Sequence, residues 1–205
     1  MRKLIVGAMI SLDGVMQAPG GPEEDTSGGF AYGGWVWPYY DDGGEDAMGG
    51  AFKRPFELVL GRRTYDIFAA YWPHVPEGAP HQDIADLFNG TAKHVATHLP
   101  ETLAWQNSRA LGADIGAAVR ELKRGDGPDL LTQGSSELVH QLLATDLVDE
   151  LRLLVYPVLL GRGKRLFDDH AQAAEFQLDE SRSSSTGVLI TRHIRAGEVR
   201  TGSFG

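Results

Sequence analysis

Two segments of this chain bring together residue types that bind phosphate. In Leu58-Val59-Leu60-Gly61-Arg62-Arg63-Thr64-Tyr65 an apolar run ends at a glycine and is followed at once by two arginines and a threonine hydroxyl. Asp129-Leu130-Leu131-Thr132-Gln133-Gly134-Ser135-Ser136-Glu137-Leu138 repeats the pattern with two serines. An apolar strand that turns at glycine into a helix aims unpaired backbone N–H groups, and the positive end of the helix dipole, at whatever occupies the turn. Guanidinium forks and hydroxyls add donors suited to phosphate oxygens. One such glycine is often only a tight turn, but two in one chain point to a dinucleotide phosphate site. Neither segment is a Walker loop or the Gly-x-Gly-x-x-Gly fingerprint, so the site is of another type.

Other residues are open between a chemical and a structural role. Asp13 is a candidate catalytic or substrate-binding carboxylate, although Asp13-Gly14 is first of all a turn former. Trp35, Trp37, Tyr39 and Tyr40 would wall a pocket for a flat, ring-shaped substrate, or form a small core beneath a long loop. Gly161-Arg162-Gly163-Lys164-Arg165 is a basic turn that could meet a substrate phosphate or simply face solvent. The histidines at 74, 81, 94, 98, 140, 170 and 193 show no ligand spacing, and no metal site is expected. Cysteine is absent, which excludes disulfides, thiolate catalysis and Cys-based zinc sites and fits a reducing, cytoplasmic setting.

Composition bounds these ideas. With 205 residues, 42% hydrophobic, the chain is long enough for one full core and short for two domains. A net charge of -9 argues against binding nucleic acid or an anionic membrane non-specifically, so any phosphate must be held by local donors. The run Leu4 to Ile10 stops at Ser11-Leu12-Asp13-Gly14 without a cleavage-like site and reads as a core strand. No stretch approaches the roughly 18 apolar residues of a membrane span, and a soluble protein is expected.

The elements that must position the two turns follow from periodicity. Strands are predicted at Lys3–Ile10, Glu57–Gly61, His94–Thr97, Leu103–Gln106, Leu130–Thr132, Glu150–Val158, Phe176–Glu180 and Val188–Ile194. Helices are predicted at Glu45–Lys53, from Thr64 to Ala70, Asp83–Phe88, Asp114–Lys123 with Asp114 as its cap, and Ser135–Leu143. Residues 11–44 form a long glycine-rich, aromatic loop, which in compact domains is usually functional or disordered. The class is α/β: one mostly parallel sheet with antiparallel strands at the carboxyl end. A domain over 1–196 and a loose tail over 197–205 are expected. Ligands of such sheets bind at the carboxyl ends of the strands, where both glycine turns lie.

Ile5–Gly14, Leu58–Tyr65, Gln133–Leu138 and Val148–Phe167 together resemble the dihydrofolate reductase-like superfamily, in the branch similar to the reductase domain of bacterial riboflavin biosynthesis. The resemblance implies a three-layer α/β/α sheet and NADPH as cofactor. It implies that Gly61, Arg62, Arg63 and Thr64 hold the cofactor's phosphates, and that Thr97 and His98 lie near the adenosine 2′-phosphate. Gly134, Ser135 and Ser136 would lie under the pyrophosphate, and Val6, Ala8 and Met9 beside the nicotinamide. Glu45 and Asp46 occupy the place of the folate enzyme's proton-delivering carboxylate, though a pair of acids in a first helical turn also fits them. The implied activity is NADPH-dependent hydride transfer to a small planar substrate, pteridine-like or pyrimidine-like, by a homodimer. The specific riboflavin-pathway step is not implied, since the chain carries no deaminase with His/Cys zinc ligands. The alternatives are a dihydrofolate reductase proper and a non-catalytic protein that binds a nucleotide or aromatic ligand.

Overall fold

The apolar run that opens the chain becomes β1, Leu4–Ser11, near the centre of an eight-stranded sheet. Its residues are almost all shielded from solvent, as a strand with helices on both faces requires. The structure, a computed structural model, describes residues 1–40 and 54–204. The strands that follow are β2 (Phe56–Gly61), β3 (Lys93–Ala96), β4 (Ser108–Ala110), β5 (Asp129–Thr132), β6 (Glu150–Tyr156), β7 (Glu175–Ser183) and β8 (Leu189–Gly197). They lie in the order β4-β3-β2-β5-β1-β6-β8-β7. Strands β1 to β6 run parallel, β8 is antiparallel to β6, and β7 pairs antiparallel with β8. The predicted class, mostly parallel with antiparallel carboxyl-terminal strands, is the observed one.

Among the described residues four α-helices cover the sheet: α1 (Arg62–Tyr71), α2 (Gln82–Gly90), α3 (Ile115–Arg124) and α4 (Ser136–Ala144). Tyr65 of α1 and Phe88 of α2 pack with Ile5, Leu58, Leu60 and Leu131 on one face. Val119 of α3 and Leu138, Val139 and Leu142 of α4 pack with Leu4, Val6, Val59 and Leu130 on the other. The alternation of side chains along β1 and β2 feeds both cores, which makes the three layers. None of the described helices is long and apolar enough to cross a membrane.

Several boundaries differ from the sequence reading. Helix α1 begins directly after Gly61, which places both arginines in its first turn. Asp114 caps α3 as predicted, accepting a hydrogen bond from the Ala117 amide at 2.8 Å. The strand predicted at Leu103–Gln106 is displaced: β4 lies at Ser108–Ala110, beside β3. The apolar side chains of Leu103 and Trp105 do pack inward, against the α1 and α2 core. The Trp105 amide, however, donates to the Tyr65 hydroxyl at 2.8 Å instead of to a strand, and Asn107 turns the chain in a left-handed conformation (φ 61) before the ladder starts. The predicted helix Glu45–Lys53 lies outside the described residues.

Candidate active site

Helices α1 and α4 leave neighbouring strands, β2 and β5, and pack on opposite faces of the sheet. This is the topological switch point of an open parallel sheet, the place where sheets of this kind take their ligands, at the carboxyl ends of the strands. The two glycine turns meet there. The Gly61 amide donates to the Gly134 carbonyl at 3.2 Å. A Cβ on Gly61 would stand 2.0 Å from Ser135 Oγ, and one on Gly134 would stand 2.9 Å from Thr64 Oγ1. Gly134 also has φ 127, a conformation closed to ordinary L residues. The Thr132 hydroxyl braces the second turn, donating to the Gly134 carbonyl at 3.1 Å and accepting from its amide at 3.3 Å. The N-terminal residues flanking both helices, Gly61 and Ser135, make no side-chain capping bond, so the first-turn N–H groups remain available to a ligand.

The structure therefore brings Gly61, Thr64, Gly134 and Ser135 into one place, with Ser136 buried in the first turn of α4. The two arginines diverge. Arg62 donates through Nε to both oxygens of Asp66 at 2.9 Å, and through Nη1 to Thr97 Oγ1 at 3.3 Å and to Thr102 Oγ1. It thereby ties α1 to the segment after β3, with His98 exposed beside it. Arg63 turns the other way and donates to Asp25 in the long loop. Ala8 is buried in the α3 and α4 core, and Met9 packs on the opposite side against the loop cluster.

That loop is folded in its described part. Val15 pairs with Arg165, and the Met16 amide donates to the Lys164 carbonyl at 2.8 Å. Trp35 lies beneath it, 7% exposed, edge-on to Tyr156, with Nε1 donating to the Gln17 carbonyl at 2.8 Å. Tyr39 also packs edge-on against Tyr156, whereas Trp37 is 55% exposed. Of the two readings for these aromatics, Trp35 follows the core one. Asp13 has its oxygens engaged: Ser11 Oγ donates to it at 2.7 Å, and the amides of Leu160 and Gly161 donate at 3.1 and 2.9 Å. The Ser11 hydrogen bond and those amides hold its carboxyl below the usual range despite some burial, so it closes a turn as an ion. Glu45 and Asp46 lie outside the described residues. Among the described residues no His/Cys/Asp/Glu group could hold a metal ion.

Sequence reasoning missed Met16, whose Cε lies 3.8 Å from the Cβ position of Gly134, together with Gln17, Asp25 and Thr132. Thr132 carried a usable signal, a hydroxyl at the end of an otherwise apolar strand. The loop residues carried none. A shallow groove of about 560 Å³ between α3 and α4, lined by Asp114, Arg120, Gln141 and Thr145, opens at the far end of α4 from the turns and is unrelated to them.

Comparison with known proteins agrees with this architecture. The model of the RibD C-terminal domain family matches residues 2–190. The uncharacterised protein YyaP of Bacillus subtilis is 26% identical over 189 residues, 92% of each chain. The uncharacterised YwjB of the same organism is 23% identical over 195 residues, 95% of this chain and 99% of that one. Among solved structures, a candidate riboflavin biosynthesis protein from Shewanella sp. PV-4 superposes with a TM-score of 0.62 at 19% identity, over 95% of this chain and 99% of that one. A pyrimidine reductase-like protein from Corynebacterium diphtheriae gives 0.59 at 14%, over 96% and 93%.

Proposed function

Because this chain belongs to the RibD C-terminal domain family, we propose that it is an NADPH-dependent reductase acting on a small planar substrate of pteridine or pyrimidine type. The observation that carries the reading is the contact between two strand–glycine–helix turns at the switch point, Gly61 on Ser135 and Gly134 on Thr64. NADPH, when bound, supplies the hydride. The residues present fit its phosphates: two uncapped helix starts, the Thr64 and Ser135 hydroxyls, and a half-exposed Arg63. Ala8 and Met9 are read as bordering the nicotinamide, and Thr97 and His98 as bordering the 2′-phosphate.

The chain's own work is to bind, orient and exclude water. The loop over 12–40 supplies the cover, and Trp35, Trp37 and Tyr39 are read as shaping the substrate side of it, Trp35 from below. Asp13, held as an anion, is read as a positioning group. The proton that follows hydride transfer then comes from bound water or from Glu45 or Asp46. The family resemblance further carries a homodimer with β6 near its interface; the absence of cysteine supports a cytoplasmic setting, and the length and composition support one domain over 1–196.

Titration with NADPH and NADH, followed by tryptophan quenching and energy transfer to the dihydronicotinamide, tests the reading. NADPH is expected to bind in preference to NADH, and an Arg62→Ala/Arg63→Ala variant that keeps its circular dichroism spectrum is expected to lose that binding. Absence of binding by either dinucleotide overturns it. NADPH oxidation against a panel of pyrimidines and pteridines then distinguishes turnover from binding alone.

A further inference from the structure

Arg63, in the first turn of α1 beside Gly61, meets the Asp25 carboxylate of the long loop. The other Asp25 oxygen accepts from Lys164 Nζ at 2.7 Å. Ser27 donates to Asp25 Oδ1 through its amide at 3.1 Å and its hydroxyl at 2.6 Å. Gln17 fixes the assembly: its Nε2 donates to the carbonyls of Asp25 and Ser27 at 3.0 and 2.9 Å, and its Oε1 accepts from the Lys164 amide at 3.0 Å. One carboxylate thus gathers three segments: the first turn of α1, the loop, and the turn that follows β6.

The burial pattern gives this cluster a direction. The Asp25 side chain is 8% exposed, against 34% for Lys164 and 50% for Arg63, so the anion lies inside and the two cations turn outward. Arg63 engages Asp25 through Nη1, and a guanidinium has further N–H donors to offer. A free surface arginine loses rotamer freedom when it grips a ligand, whereas one already held by a carboxylate has lost that freedom beforehand. We infer that Asp25 is a positioning residue for the anion site, holding Arg63 and Lys164 together so that both cations meet the phosphates of the bound dinucleotide.

The inference rests on reading the paired turns as a phosphate site. The rival possibility is that Asp25 competes with phosphate for Arg63. It requires a buried carboxylate with four donors already in place to give one up, and Arg63 has donors to spare without that exchange. Burial alone would raise the Asp25 pKa, but the Lys164 ammonium and the Ser27 hydroxyl and amide outweigh it and bring the value down to about 2. The carboxylate is therefore charged throughout the neutral range.

The test is a double-mutant cycle read as NADPH dissociation constants, with thermal melts beside it. Asp25→Asn is expected to weaken NADPH about tenfold, the equivalent of one charge-assisted hydrogen bond. Arg63→Gln should weaken it at least as much. In an Arg63→Gln/Lys164→Gln background Asp25→Asn should change the NADPH affinity by less than about twofold, because Asp25 then has neither cation left to position. Losses that multiply, or an Asp25→Asn variant that binds NADPH as tightly as wild type or tighter, overturn the inference. If Asp25→Asn does not fold, Asp25→Glu, which keeps the charge on a longer arm, enters the same cycle. Wild-type protein that binds neither NADPH nor NADH removes the phosphate reading beneath it. Wild type that binds NADPH while the variant matches it removes only the role of Asp25.

Discussion

Alanine at Gly61 probes the contact on which the site depends without touching any charged or hydroxyl group. Gly61 has φ -69 and ψ 154, an extended conformation open to alanine, so the backbone itself exacts no penalty. The space does. The new methyl would lie 2.0 Å from Ser135 Oγ, 3.0 Å from its Cβ and 2.8 Å from its amide nitrogen. The hydroxyl can rotate away, but the amide nitrogen is backbone, next to a carbonyl that already receives the Gly61 N–H at 3.2 Å. The turns must therefore separate, stretching that hydrogen bond. Overpacking of this kind costs about 1–3 kcal/mol and the weakened bond about 1 more. For a chain of this length, a loss near 3 kcal/mol lowers Tm by roughly 6–12 °C. Differential scanning calorimetry on Gly61→Ala measures it. Gly90→Ala is the control, at the last residue of α2 with nothing within 4 Å of the new methyl, and should melt at or slightly above wild type. Gly61→Ala/Ser135→Gly removes the Oγ and Cβ clashes while leaving the amide one, and should recover part of the loss. A Gly61→Ala protein melting within about 2 °C of wild type would show that the turns are not pressed together, and the argument for a shared site would fall with it.

Three further expectations follow from buried groups. Trp35→Phe removes a buried donor to the Gln17 carbonyl and should cost about 1–3 kcal/mol in urea unfolding, whereas Trp37→Phe removes a donor to the Gly20 carbonyl at a half-exposed position, where water replaces it, and should stay within about 0.5 kcal/mol; equal effects would contradict the core role of Trp35. Lys93 is enclosed, with Nζ donating to the carbonyls of Asn89, Thr91 and Gln106 over the Trp105 ring, and burial draws its pKa from 10.5 to about 8. Between those values the unfolded chain binds the extra proton, so stability should rise as pH goes from about 8 to about 10.5, and Lys93→Met should flatten that rise; a wild-type urea midpoint that does not climb over this window relative to the variant counts against it. Glu57 accepts from Arg2 Nη2 at 2.6 Å and from His94 Nε2 at 2.7 Å. Glu57→Gln leaves the buried Arg2 without its counter-ion and should cost on the order of 3 kcal/mol by chemical denaturation, a loss under 1 kcal/mol being the refuting result.

The parts of the molecule that were legible in the sequence are those decided by local physics. Buried strands show as apolar runs, so β2, β5 and β6 fell where predicted, and a glycine between such a run and a helix marked both turns. Asp114 at its helix start is a purely local device, and it caps α3 as read. Leu103–Gln106 shows the limit. Leu103 and Trp105 are buried as a strand's residues would be, but burial of side chains does not reveal whether the backbone joins a ladder, and here the Tyr65 hydroxyl takes the Trp105 amide. Gln17 and Asp25 mark a deeper limit. Both are polar, aperiodic loop residues, and their burial makes sense only once Lys164 arrives from the turn after β6, a meeting set by the sheet order and not by anything near them in the chain.

Sheet order also explains how two adjacent, identical side chains acquire different work. Strand β5 enters between β1 and β2, which puts the α4 turn against the α1 turn and leaves β3 on one flank of Gly61 and the loop on the other. Successive residues on an α-helix point about 100° apart. Arg62 therefore reaches the β3 flank, where Thr97 and Thr102 hold it while Asp66 braces it from one turn on in α1, and Arg63 reaches the loop flank, where Asp25 holds it. A lysine at either position would supply the charge but not the fork of donors that lets one side chain brace the protein and face a ligand at once. The dipeptide thus ties the segment after β3 and the long loop to the paired glycine turns. On the proposed function, the same joint couples phosphate binding to the order of the covering loop, since the cation that would meet the phosphate is also the one that anchors Asp25.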